Sequence, residues 1–520
     1  MMKKLFCYET ILVLIFFIFI LLTNHLDWDF FFTQFEVDRR SWLFDFKPPL
    51  WSYQFCGGVT RLGDPQAFGL SPLFIPILMF GSFWGSKILV VISMVMGGYF
   101  LKMLLSLLNN EISRPTLRVL TLSFLGSNFF LWHFQVGHVS QIITLWGIGV
   151  IYFCLKSLYF PLTLKQIIAS NFLVFSIYSA GFYHGVMYLL FPFYFSLCLL
   201  MIFHWIQKKH FNLKDLIFTH LVGLVLSSYK FIGILIYQLQ FPRMVHFPKE
   251  ILSLGDLLIN QALPTIHYKY LNLISHHLPW SIWESSVFCL NFFIFFLCLL
   301  RPANACKKLK CSPYFHWIII YLVVVVIYSM GEFSFWSPVS LLNHYLLNHS
   351  LQAIGRFQIG ISFLITLICG VLWQLKSPRY QHIFILLLLL NLSTFLPGIS
   401  TEQFKIISHL KIRRITKMTK LTTVKNRKNE SSFMYKSILA GKGVYNCYNA
   451  ISLTQKFISE KSPHFLPYQQ FNFINSANED CLKKSYFTQN NLHIDNSCDH
   501  DYCLNLNNLN QSEGHRLCEP

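Results

Sequence analysis

The carboxylates best placed for chemistry crowd into residues 24–72, directly behind the first apolar run. Asp27 and Asp29 open this stretch as a D-x-D triplet, followed by Glu36, Asp38, Asp45 and Asp64, with Arg39, Arg40, Lys47 and Arg61 between them. About one turn beyond a membrane helix, Asp27 and Asp29 could act as general base toward an acceptor hydroxyl or amine, or hold a divalent cation. They would equally suit the solvation of a helix end. At about 100° per residue, Asp29, Thr33, Glu36 and Arg40 form one stripe, and Phe31, Phe35, Trp42 and Phe46 the far side. That pattern predicts a helix lying in a membrane interface, apolar side down and polar side up. Pro48-Pro49 ends it, and Gly57-Gly58 and Gly63-Asp64-Pro65 read as turns.

Other candidates come from short polar turns. His133 and His138 flank one of them, and Ser179, Tyr183 and His184 sit in the next. If both turns face the same side as residues 24–72, they could share one cavity mouth, or be ordinary interfacial residues. Arg356 lies near the start of a later apolar segment, where a cation suits a lipid-linked phosphate and also suits snorkelling. The segment 238–284 mixes Arg243, Lys249, Lys269, Trp280 and Trp283, a composition that fits a sugar-binding face or an aromatic belt. The adjacent pair His276-His277 makes a poor metal site, since neighbouring side chains diverge on helix or strand.

These residues need a membrane scaffold to position them. Apolar residues are 54% of the chain and charged residues 12%, about half the share usual in soluble domains. The fold class expected is an all-α polytopic membrane protein. Candidate spans are 5–23, 86–107, 118–133, 139–157, 165–181, 184–205, 215–237, 285–300, 314–330, 354–374 and 381–398, about 11 in all. Residues 72–85, broken by Pro72, Pro76 and Gly81, read as a half-buried or re-entrant piece. The run 5–23 could be a signal-peptide core, but it is long and no small-residue cleavage site follows, so it reads as a retained helix.

The net charge of +19 follows topology rather than nucleic-acid binding. With the N-terminus in the cytoplasm, Arg114/Arg118, Lys156/Lys165, Lys208/Lys209/Lys214, Arg301/Lys307/Lys308/Lys310 and Lys376/Arg379 all fall inside. The expected division is a membrane domain over 1–400, with a large first outer loop, and a small extracytoplasmic tail over 401–520. Five of the 14 cysteines (Cys447, Cys481, Cys498, Cys503, Cys518) lie in that tail, which could carry a disulfide or two. There is no G-x-x-x-x-G-K-[ST], no G-x-G-x-x-G after a strand and no H-E-x-x-H, which disfavours nucleotide hydrolysis and nucleotide-sugar chemistry. Lys102 and Lys230 are the clearest charges inside apolar segments, few for an ion-coupled transporter.

The order of a first helix, an outer loop with an early Asp pair, an interfacial helix and a Gly-Gly turn resembles the polytopic GT-C glycosyltransferase superfamily. More closely, Asp29, Arg39-Arg40, Pro49-Leu-Trp51, Gly57-Gly58, Asp64 and Leu70-Ser71-Pro72 resemble bacterial YfhO-type membrane proteins, as does Gly137-His138. The resemblance implies a polyprenyl-phosphate-linked sugar as donor and an envelope glycan, lipid or protein as acceptor, on the outer face of the inner membrane. It places the catalytic carboxylate at Asp29 or Asp27, and Arg356 on the donor phosphate; Glu36, Arg40, His138 and His184 are expected about the substrate from their places in the polar stripe and turns. The other class of function open to such a chain is a non-catalytic transporter or flippase of a lipid-linked glycan.

Overall fold

The computed structural model describes residues 26–52, 59–181, 186–207, 212–240, 251–262, 287–300, 314–346 and 354–373. It also describes residues 309, 312, 383, 384, 386–388 and 391, and four three-residue strands of the tail. The expected spans 5–23 and most of 381–398, His184, and most of 238–284 and of the tail lie outside the described residues.

The described chain is an all-α membrane protein with only short strands. Its helices are α1 (Leu26–Leu43), α2 (Ile75–Leu108), α3 (Arg114–Leu125), α4 (Asn128–Val136), α5 (Ile142–Tyr159), α6 (Leu164–Ser179), α7 (Phe191–Ile206) and α8 (Leu213–Phe218). They continue with α9 (Leu221–Gln240), α10 (Leu254–Ala262), α11 (Leu290–Leu299), α12 (Phe315–Ser329), α13 (Pro338–Leu341) and α14 (Gln358–Leu372). Among the described residues, four stretches are long and apolar enough to cross a membrane: Pro72–Leu108, Val139–Tyr159, Val186–Ile206 and Gly355–Leu372. Leu221–Ile236, Leu290–Leu299 and Phe315–Ser329 are shorter apolar helices. In the tail, Lys420–Thr422 pairs with Lys442–Val444 and His493–Asp495 with Cys503–Asn505.

Local chemistry sets many helix ends. Ser113 caps α3 by accepting from the Thr116 amide, with Pro115 in the first turn. Thr163 and Gln166 close a reciprocal capping box on α6. Pro72–Leu108 spans 37 residues, which at about 1.5 Å each exceeds the roughly 30 Å of a hydrocarbon core. The helix is broken at Gly81 (φ 81°, ψ 165°), so the piece over 72–85 continues straight into the next span as its kinked first part. Two expected spans are divided. Residues 118–133 fall on α3 and α4, parted at Gly126-Ser127, and 215–237 falls on α8 and α9, parted at Thr219-His220.

The largest departure concerns α1. Over residues 31–38 its apolar and polar sides are both buried: Phe31, Phe32, Phe35, Thr33, Gln34, Glu36 and Asp38 all sit at 4% exposure or less, whereas the helix ends at Leu43, short of Pro48, with Trp42 half-buried and Phe46 exposed beyond its end. The helix does not lie with a wet polar face up. It is enclosed because Phe68, Phe74 and Phe83 cover its aromatic side, while ion pairs meet its polar side. Periodicity could not foresee those partners, since they arrive from residues 61–83.

Candidate functional site

Asp27 and Asp29 lie in the first turn of α1. The residue between them anchors that turn. Trp28 is fully buried, donates from Nε1 to the Phe134 carbonyl (3.1 Å), and stacks on Phe32 at 5.0 Å. The Lys87 ammonium of α2 sits 3.5 Å above the Trp28 ring centroid, a cation–π contact in a desolvated place. Gly137, left-handed at φ 101°, lets the end of α4 approach so closely that a Cβ there would come within 2.7 Å of the Trp28 amide nitrogen.

That end of α4 carries the two expected histidines. His133 and His138 meet through their Nδ1 atoms at 3.0 Å with near-parallel rings, and Phe31 of α1 abuts His138 edge-on at 6.3 Å. A short Nδ1–Nδ1 contact requires one ring to donate and the other to accept, which fixes complementary tautomers. The fold thus brings the Asp27/Asp29 turn, the two imidazoles and the Lys87 ammonium to one place. Sequence reading missed Lys87; the signal was a lysine within an otherwise apolar span.

Further along α1, Glu36 and Arg40 are tied to one another rather than held open. Glu36 Oε1 accepts from Arg40 Nε (3.3 Å) and Arg39 Nη1 (3.4 Å), and its Oε2 accepts from the Ser82 hydroxyl (2.9 Å). Beside them lies a buried ion cluster. Arg61 donates from Nε and Nη2 to the two Asp38 oxygens (2.7 and 2.8 Å), and from Nη1 to Asp64 Oδ2 (2.6 Å). Asp64 also accepts from Gln34 Nε2 (2.7 Å) and from the Gln66 amide (2.8 Å). The Lys230 ammonium of α9 donates to the carbonyls of Arg61 and Asp64, each at 2.7 Å. Burial pushes the Asp38 carboxyl above the ordinary carboxylate range, with the Arg61 guanidinium pulling against it. Burial works against the Arg61 charge too, but Asp38 and Asp64 hold its pKa above the usual value.

These contacts tie the described part of the first loop, residues 59–71, to the membrane helices. Lys230 clamps residues 61–64 onto α9, and the Ser71 hydroxyl donates to the Ser176 carbonyl of α6 (2.6 Å). Gly181, at φ 115°, meets the Pro65 carbonyl where a side chain would collide. The ion cluster was only partly legible, because Lys230 is 166 residues from Asp64.

Arg356 belongs to another set of elements. It lies in the 3₁₀ turn Ile354–Phe357 ahead of α14, is buried, and places its Cζ 5.7 Å from the Tyr188 ring centroid. Tyr188 sits in a π-helical turn, Val186–Leu190, directly after the undescribed residues 182–185. Among the described residues no cluster of three or more His, Cys, Asp or Glu side chains is arranged to hold a metal ion. Comparison with protein-family models, curated proteins and solved structures finds no match.

Proposed function

We propose that this chain is a glycosyltransferase of the bacterial inner membrane, with about 11 spans, a cytoplasmic N-terminus and an extracytoplasmic tail. It moves a sugar from a polyprenyl-phosphate carrier to an envelope glycan, lipid or protein on the outer face. Asp29, or Asp27 beside it, takes the proton of the acceptor hydroxyl as that oxygen attacks the anomeric carbon. The bond from that carbon to the phosphate oxygen breaks, and polyprenyl phosphate leaves with the electron pair. The leaving group needs charge stabilisation rather than a proton, a task that suits Arg356. Glu36 and Arg40 enter as buried ties that hold α1, while His138 lines the acceptor side.

The observation that supports this reading is the seating of the first turn of α1, through Trp28 and Phe31, against the His133–His138 turn and Lys87. The test compares surface glycans and glycolipids of a deletion strain with strains restored by wild type, Asp29→Asn and Asp27→Asn at matched protein levels. Loss of one sugar modification on deletion, its return with wild type and its failure to return with an Asp variant is the expected result. Full restoration by both variants sinks the assignment of the base and moves the flippase reading ahead.

A further inference from the structure

A second group of polar side chains lies where three membrane helices begin, and the ion pairs above do not use it. Ser140 and Gln141 form the 3₁₀ turn before α5, and Thr144 follows in its first turn. All three are buried at 2% exposure or less. The Ser140 and Thr144 hydroxyls and both amide atoms of Gln141 find no hydrogen-bond partner among the described residues. Gln358, fully buried at the start of α14 and two residues after Arg356, likewise leaves both side-chain amide atoms unpartnered.

The turn Val186–Leu190 packs against α5 on one side and against both Ile354–Phe357 and α14 on the other. Gly147 of α5 faces Leu190, so that a Cβ there would meet Leu190 Cγ at 3.3 Å. Thr144 and Ser140, one and two turns earlier, continue that same stripe. On the other side Tyr188 carries Arg356 against its ring and packs edge-on to Phe357 at 5.1 Å. A π-helical turn inside a membrane helix is a device found often at binding sites. Buried polar groups without a partner are costly to keep in an apolar setting, and a ligand that satisfies them accounts for their presence.

We infer that Ser140, Thr144, Gln358 and Arg356 form a binding site for a lipid head group that joins a phosphate to a hydroxyl-rich moiety. Neutral amides and hydroxyls offer both donors and acceptors, which matches sugar or polyol hydroxyls, and the single guanidinium matches one phosphate. The inference rests on the transferase reading only for the source of the ligand. A polyprenyl-phosphate sugar and a phosphatidylglycerol head group present the same chemistry.

The full chain in phosphatidylcholine nanodiscs, alone or with decaprenyl phosphate, a decaprenyl-phosphate hexose or phosphatidylglycerol, separates the outcomes by thermal unfolding. A lipid carrying both phosphate and hydroxyls should raise Tm by at least about 3 °C at saturation, and more than decaprenyl phosphate does. A rise with the hexose lipid alone marks the glycan carrier as ligand, and a rise with phosphatidylglycerol marks a membrane phospholipid. Thr144→Val/Gln358→Leu should abolish the rise without lowering Tm in phosphatidylcholine alone, because it removes polar groups that lack partners. The inference is overturned if no lipid raises Tm, if decaprenyl phosphate does as well as its hexose, if the variant keeps the rise, or if the variant alone loses several degrees. Asp29→Asn protein should keep the rise, so failure of the catalytic reading leaves this result standing.

Discussion

Replacing Arg61 by Met should loosen the whole first loop. The guanidinium makes three hydrogen bonds of 2.6–2.8 Å to two carboxylates that are both fully buried. Met keeps much of the side-chain volume and none of the charge. Asp64 then retains Gln34 and the Gln66 amide, but Asp38 loses both of its guanidinium contacts. Removing one partner of a buried ion pair costs about 3–5 kcal/mol, mostly because the remaining charge is stranded. At about 2 °C per kcal/mol for a chain this large, the loss is roughly 6–10 °C in Tm. Asp38→Asn/Arg61→Met should cost clearly less than the two single changes summed, with a coupling of about 1–3 kcal/mol. The assay is thermal unfolding in nanodiscs, with hydrogen exchange of the Arg61 and Leu62 amides, both of which donate to the Leu50 carbonyl. A Tm within about 2 °C of wild type, or strict additivity of the two changes, refutes the idea that this cluster fixes the loop.

Two further changes test other ties. Gly181→Ala places a Cβ against the Pro65 carbonyl at φ 115°, and should cost about 1–3 kcal/mol, seen as a lower Tm and faster proteolysis between residues 60 and 71. Trp28→Leu removes the Nε1 bond to Phe134 and the ring beneath Lys87. It should cost about 3 kcal/mol and weaken any Asp29-dependent transfer, since the anchor of that turn is gone; unchanged stability would show that Trp28 does not seat α1.

The membrane character of the chain was legible from composition and run length alone, because an apolar segment of about 20 residues has few other homes. Helix ends were legible where a cap is local, as at Ser113 and Thr163. The special status of residues 24–72 was also legible, since so many charges beside apolar runs must find partners. What periodicity could not reveal was where those charges point. Asp29, Thr33, Glu36 and Arg40 describe an amphipathic stripe whether water or protein covers it.

Only the tertiary structure decided that protein covers Thr33, Glu36 and Arg40. Glu36 is paired with Arg40 and Ser82, Asp38 with Arg61, and Lys230 returns from α9 to clasp the loop carbonyls. The sequence by itself determined the residue types, the apolar runs and the local caps, because those depend on neighbours within a turn or two. The closure of α1, the meeting of its first turn with His133 and His138, and the packing of Val186–Leu190 against α5 and α14 depend on segments more than 20 residues apart. Their contacts form only when the apolar faces are buried together, and no local rule encodes which faces will meet.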